Sequence, residues 1–241
     1  MLRLKDLRGK TLESFEDDAD RASADAALTR SGRLLVLGHN GRESSVWDPR
    51  RSGATRRLAG SGGSEPVLLS PDARWAGVVV KGEAGVWSTQ DGRRRGSMVP
   101  GRPQAFSADG RWLAVANPDA GRGEVRVLDS DTGRPIAGTM ETRQPVLSGA
   151  FSPDGRVLAL VTQSASLTAR SRAYAVELWD PARGTRLSAE DLVSWTASPR
   201  SLLFPTVAVR SGSSGDAEVV VGGIDKRPVE FTLDPDAWRR A

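Results

Sequence analysis

Cysteine is absent from the chain and histidine occurs once, as His39. Without a thiol there is no disulfide, no thiolate metal site and no cysteine nucleophile. A lone imidazole leaves little room for a histidine-rich metal centre, and no Ser-His-Asp relay can be argued from it. Long apolar runs are missing too: no stretch approaches the ~20 residues of a membrane-spanning helix. The opening "MLRLKDLRGK" alternates charged and apolar residues where a signal peptide would carry an apolar centre. A cytoplasmic location is therefore expected. Lysine is scarce, at positions 5, 10, 81 and 226, so the formal net charge of +4 is carried almost wholly by arginine. One reading is an anionic partner such as nucleic acid. The other is a genome that prefers arginine on solvated surfaces. Acidic residues are interspersed nearly throughout, and no basic run is interleaved with aromatics, so nucleic acid is not the expected partner.

What the chain does have is a repeat. The phrase "AFSPDGRVLAL" (150–160) follows "AFSADGRWLAV" (105–115), "LLSPDARWAGV" (68–78) and "ALTRSGRLLVL" (27–37). Aligned on their arginines, Arg33, Arg74, Arg111 and Arg156, the copies are spaced by 41, 37 and 45 residues. A second phrase trails each: "SSVWDPRRSG" (44–53), "AGVWSTQDG" (84–92), "VRVLDSDTG" (125–133) and "VELWDPARG" (176–184). Two phrases in fixed order at a period of about forty mean one supersecondary unit copied several times.

Each phrase has a local reading. In the first, Ser152-Pro153-Asp154-Gly155 supplies a preset φ, a side chain that bonds the backbone ahead, and a residue free to take positive φ. The strand that resumes at Val157 is apolar on both faces, as a strand sandwiched between sheets should be. In the second, Val176 and Leu178 alternate with Glu177 and Trp179 before Asp180-Pro181 ends the strand and Gly184 completes a turn. Each unit offers two hairpins, or about four short strands, with no helix-period segment. One such sheet exposes two apolar faces and cannot stand alone; copies stacked around an axis bury both.

The phrases "SPDGR" and "WDP…G" resemble those of the WD-repeat family of β-propellers in its bacterial form. The resemblance covers roughly residues 25–190 and is weaker beyond. It implies an all-β propeller of four-stranded antiparallel blades. The Gly-His pair and the Asp-His-Ser/Thr-Trp network of the fuller family pattern are not present. Clear units span 25–58, 65–98, 103–140 and 147–190, and a degenerate one spans 200–238. The stretch 188–204 reads as an insertion, a loop with one extra strand. Residues 2–12 match 125–136, so residues 1–15 form a partial blade and the chain opens in the middle of a unit. About five sheets plus an N-terminal strand or pair are expected, possibly as an incomplete ring within a single domain, 1–241. The tail "LDPDAWRRA" resembles the end of propeller regions in large actinobacterial proteins. That implies a C-terminal part of a longer protein, preceded by a signalling or ATPase domain.

Candidate chemistry is thin. "RGKT" (8–11) lacks the upstream glycine of a phosphate-binding loop and sits on strand and turn, not strand and helix. His39 is placed in a connecting loop, as a ligand contact or a plain surface residue. Trp47, Trp87 and Trp179 recur at one repeat position, which favours packing between sheets over an aromatic cage. The acidic segment 13–27 reads as a solvated lead-in. Arg33, Arg74, Arg111 and Arg156 follow the first turn of each unit, and in a propeller both turns emerge on one side of the ring. Arg50, Arg51, Arg93, Arg94, Arg134 and Arg183 lie in the second turns, on that same side. The first-turn arginines are the candidate interaction surface, and an acidic partner docks on this face unless Asp48, Asp72, Asp109, Asp129, Asp131, Asp154 and Asp180 neutralise it. Unit four carries an extra excursion, 162–175, on the opposite side, and Arg170 and Arg172 join the candidates from it. No catalytic, metal or cofactor residue is assigned. The expected function is a non-catalytic scaffold or sensor with a protein or peptide partner. The alternatives are a lactonase- or glycosidase-like enzyme, which needs at least three convergent carboxylates or amides at the axis, and arginine-mediated nucleic-acid binding.

Overall fold

The computed structural model describes residues 2–5, 11–15, 24–28, 34–39, 43–48, 55–62, 68–118, 122–163, 172–195, 206–211, 217–222 and 229–233. All of them lie in strands, turns or short connections. An N-terminal hairpin pairs β1 (Leu2–Lys5) with β2 (Thr11–Phe15). Blade 1 is β3 (Ala24–Leu28), β4 (Leu34–His39), β5 (Ser44–Trp47) and β6 (Thr55–Arg57). Blade 2 is β7 (Leu68–Leu69), β8 (Trp75–Val80), β9 (Glu83–Ser88) and β10 (Arg94–Pro100). Blade 3 is β11 (Arg102–Phe106), β12 (Trp112–Asn117), β13 (Glu124–Asp129) and β14 (Met140–Glu141). Blade 4 is β15 (Val146–Phe151), β16 (Leu158–Gln163), β17 (Arg172–Asp180) and β18 (Thr185–Trp195). Blade 5 has three described strands, β19 (Thr206–Ser211), β20 (Ala217–Gly222) and β21 (Val229–Leu233). Within each blade the strands pair antiparallel in chain order. The first strands β3, β7, β11, β15 and β19 are neighbours in succession, so they lie innermost and the sheets radiate outward.

The reason for the radial stack is visible strand by strand. Side chains alternate across a strand, so a strand apolar at every position must be covered on both sides. In β8, Ala76 and Val78 join Val46, Leu58 and Trp87 in the layer between blades 1 and 2. The alternate residues Trp75 and Val79 join Leu113, Val115 and Leu128 between blades 2 and 3. In β16, Leu158 and Leu160 face blade 3, whereas Ala159 and Val161 face Val219 and Val221 of blade 5. Each apolar layer is thus shared by two blades. The far side of blade 5 is different: Thr206, Ala208 and Arg210 are exposed there, and Arg210 pairs with Glu218 across the strand.

Five sheets and an N-terminal pair match the expected arrangement, with three departures. His39 is the last residue of β4, paired with Ser44, and not part of a loop. Of the stretch 188–204, residues 188–195 are strand, but as a continuation of β18 along β17 as far as Trp195 rather than an extra strand, and 196–204 lie outside the described residues. The acidic segment begins in β2 and ends in β3, with 16–23 outside the described residues.

Candidate functional site

The first turn is built alike in blades 2, 3 and 4. The hydroxyls of Ser70, Ser107 and Ser152 are buried. Each donates to the aspartate two residues on, at 2.6 Å, in Asp72, Asp109 and Asp154. Each also accepts the backbone N–H of the residue five further on: Trp75 at 3.0 Å, Trp112 at 3.0 Å and Val157 at 2.9 Å. The same aspartate oxygen accepts the backbone N–H of Arg74, Arg111 or Arg156, at 3.1, 3.0 and 3.1 Å. Serine and aspartate therefore close the turn as one unit. Burial by itself pushes the Asp109 carboxyl up, but the Ser107 hydroxyl, the Arg111 N–H and the Arg111 guanidinium together bring it below the usual value.

This geometry decides what the predicted arginines can offer. Arg74 donates from Nε to Asp72 Oδ2, and Arg156 Nε lies 3.9 Å from Asp154 Oδ2. Arg111 is exposed beside Asp109. Around the axis, successive first turns touch: the Asp72 carboxylate lies against Gly110, and Trp112 against Gly155. Arg33 and Arg170 lie outside the described residues, and Arg172 opens β17, paired with Trp195.

The second turns behave differently. A Cβ at Gly92 (φ +72) would collide with the carbonyl of Arg57, and Gly92 O accepts the N–H of Ala59 at 2.9 Å. A Cβ at Gly133 (φ +66) would collide with the carbonyl of Arg95. Each of these turns is seated on the last strand of the blade before, a close approach that only glycine permits. Blades are also tied by Trp87, whose indole N–H donates to Ala59 O at 2.9 Å. Asp91, in the second turn of blade 2, accepts the Arg93 N–H and an Arg95 guanidinium N–H at 3.0 Å. The Arg93 N–H first, then Arg95 and the Ser88 hydroxyl, hold its carboxyl down at about 2 against the upward push of burial.

One polar group was not expected at all. Glu177 is fully buried, on the face of β17 that meets blade 3. Its Oε1 accepts the Arg143 N–H at 2.8 Å, and Oε2 faces Arg186 Nη1 at 3.6 Å. The Arg186 guanidinium in turn lies 6.0 Å from the centre of the Trp179 ring. Along a strand that alternates, Glu177 reads as outward-facing; only the next blade makes that position interior. Among the described residues no group of three or more His, Asp or Glu is placed to hold a metal ion, and no helix is long and apolar enough to cross a membrane.

No protein-family model matches the chain, and no curated protein matches it significantly. Solved structures do. Hsv2 of Kluyveromyces marxianus superposes with a TM-score of 0.64 at 15% identity, over 97% of this chain and 73% of that one. The dihydro-heme d1 dehydrogenase NirN superposes with a TM-score of 0.59 at 16% identity, over 94% of this chain and 47% of its own. A TolB-like protein of Agrobacterium tumefaciens gives 0.51 at 14% identity, over 88% and 82%. These neighbours are β-propellers, and so is this chain. At such identities the likeness is one of fold alone, and the neighbours include enzymes and non-enzymes.

Proposed function

We propose that this β-propeller is a non-catalytic interaction module of the WD-repeat type, a cytoplasmic scaffold or sensor arm that binds a protein or peptide. The observation that carries the reading is where the polar side chains stand. The innermost strands β3, β7, β11, β15 and β19 contribute one carboxylate among their described residues, Asp25. Channel hydrolysis of the lactonase or glycosidase kind needs several convergent acidic groups. Most of the other described carboxylates are instead displayed on turns and outer strands, held by shared apolar layers that keep their spacing rigid. Function on a propeller lives in such displayed groups rather than in the fold itself.

The test has two arms. Partners are cross-linked to the protein in lysate of the source cell, with Ala108→Glu and Pro153→Glu substituted together on the exposed first turns as the comparison. Chromogenic lactones and glycosides are assayed with the wild type and with Asp25→Asn. The reading expects a defined partner and no turnover. Turnover that Asp25→Asn abolishes would overturn it.

A further inference from the structure

We propose that the outer rim of blades 1 to 3, rather than the first-turn face, is a docking surface for an acidic segment of polypeptide. The proposal rests on the interaction-module reading and names its site. The rim is assembled by the seated second turns. Gly92 sits against the Arg57 carbonyl with the Arg56 side chain alongside, which places Arg93 and Arg94 next to Arg56 and Arg57. Gly133 sits against the Arg95 carbonyl and Gly96, which places Arg134 next to them. Three blades therefore contribute to one arginine row that no single repeat contains.

The row is only partly neutralised. Arg57 reaches Glu43 at 3.8 Å and Arg95 is held by Asp91. Arg56, Arg93, Arg94 and Arg134 are exposed and have no carboxylate partner among the described residues. Asp129 is engaged within its own turn, accepting the Thr132 N–H and hydroxyl at 2.8 Å. Each free guanidinium can take a carboxylate in a bidentate pair.

The occupant is argued from the same surface. Carboxylates of Asp91 and Asp131 stand among the arginines, so a continuous phosphate backbone meets repulsion that an intermittently acidic chain can step over. Single-stranded nucleic acid also needs aromatic platforms, yet Trp75, Trp87 and Trp179 are buried between blades. The last strand of blade 2 breaks register between Arg95 and Val99. Such a bulge discourages addition of a further strand, so recognition is by charge and not by a hydrogen-bonded ladder.

The experiment is fluorescence anisotropy of a labelled peptide in which glutamate alternates with serine, (Glu-Ser)4, on the full chain, with two variants that lose equal charge. Arg93→Gln/Arg94→Gln should weaken binding about tenfold, and Arg111→Gln/Arg156→Gln by less than about twofold, with binding falling as salt rises. Circular dichroism confirms that both variants are folded. Equal weakening by both pairs, or no saturable binding, overturns the rim. A duplex DNA that binds more tightly than the peptide overturns the choice of occupant. Loss through Arg111 and Arg156 alone overturns the rim and leaves the module reading standing; the Asp25→Asn assay is what tests that reading.

Discussion

Removing one buried hydroxyl, in Ser152→Ala, is the sharpest probe of how each unit is closed. Ser152 Oγ holds Asp154 at 2.6 Å and accepts the N–H of Val157 at 2.9 Å. Val157 is fully buried, so once the hydroxyl is gone water cannot reach that N–H. A buried donor left without an acceptor costs about 1–3 kcal/mol, and a charge-assisted bond is lost with it. Asp154 itself is exposed and is rehydrated at little cost. The expected loss is about 2–3 kcal/mol, or a fall in Tm of roughly 5–10 °C for a chain of this size. Asp154→Ala leaves the Val157 N–H on Ser152 Oγ but takes the acceptor from that hydroxyl; with its other bond, to the Arg156 N–H, exposed to water, it should cost about 1 kcal/mol, less than Ser152→Ala. Ser107→Ala should fall between them, since its Trp112 partner is only half-buried. Urea unfolding followed by tryptophan fluorescence measures all three. If Ser152→Ala unfolds within about 0.5 kcal/mol of the wild type, or no earlier than Asp154→Ala, the buried hydroxyl does not close the turn.

Trp87→Phe and Trp179→Phe remove the same atoms, but Trp87 Nε1 has a partner in Ala59 whereas Trp179 Nε1 has no hydrogen-bond partner among the described residues. Trp87→Phe should be the more costly by about 1 kcal/mol in thermal unfolding, and equal costs would refute that accounting. Glu177→Gln keeps an acceptor for Arg143 and removes a buried charge, so its stability should stay within about 1 kcal/mol of the wild type, whereas Arg186→Met strands the carboxylate and should destabilise clearly more. Gly133→Ala puts a Cβ into the Arg95 carbonyl at positive φ and should cost about 2 kcal/mol or more by chemical denaturation. For Asp91 the folded pKa of about 2 lies below the unfolded value of about 3.9. Its contribution to stability is therefore present above pH ~4 and lost as the pH falls toward ~2, and Asp91→Asn should remove that part of the acid sensitivity. NMR titration of the carboxyl checks the value directly.

The blade count, the strand order and the first turn were all legible, and for one reason: each depends on residues within a dozen positions of one another. Ser152, Asp154 and Gly155 announce a turn because a turn is local. Features that needed a second blade were not legible. Glu177 becomes interior only because blade 3 covers it. Arg74 and Arg94 look alike in sequence; one is bound by an aspartate two residues before it, and the other stands beside Arg56, a residue of the preceding repeat. The stretch from Ser188 reads as an insertion with an extra strand because its polar composition hides its continuity with the strand before it; pairing to the long β17 carries β18 on to Trp195.

The apolar layers have a consequence for how such a chain can change. The span of chain that is copied and the span that is buried are offset by half a period, because every layer takes one wall from each of two adjoining copies. Exchanging a whole repeat for a relative's leaves its own hydrogen bonds intact and yet puts two seams at risk, one on either flank. Duplicating a copy beside itself sets walls already matched to this ring against the same neighbours, so its two seams change least. Growth and shrinkage by whole units are therefore easy steps for this architecture, and transplanting a single unit between lineages is a hard one.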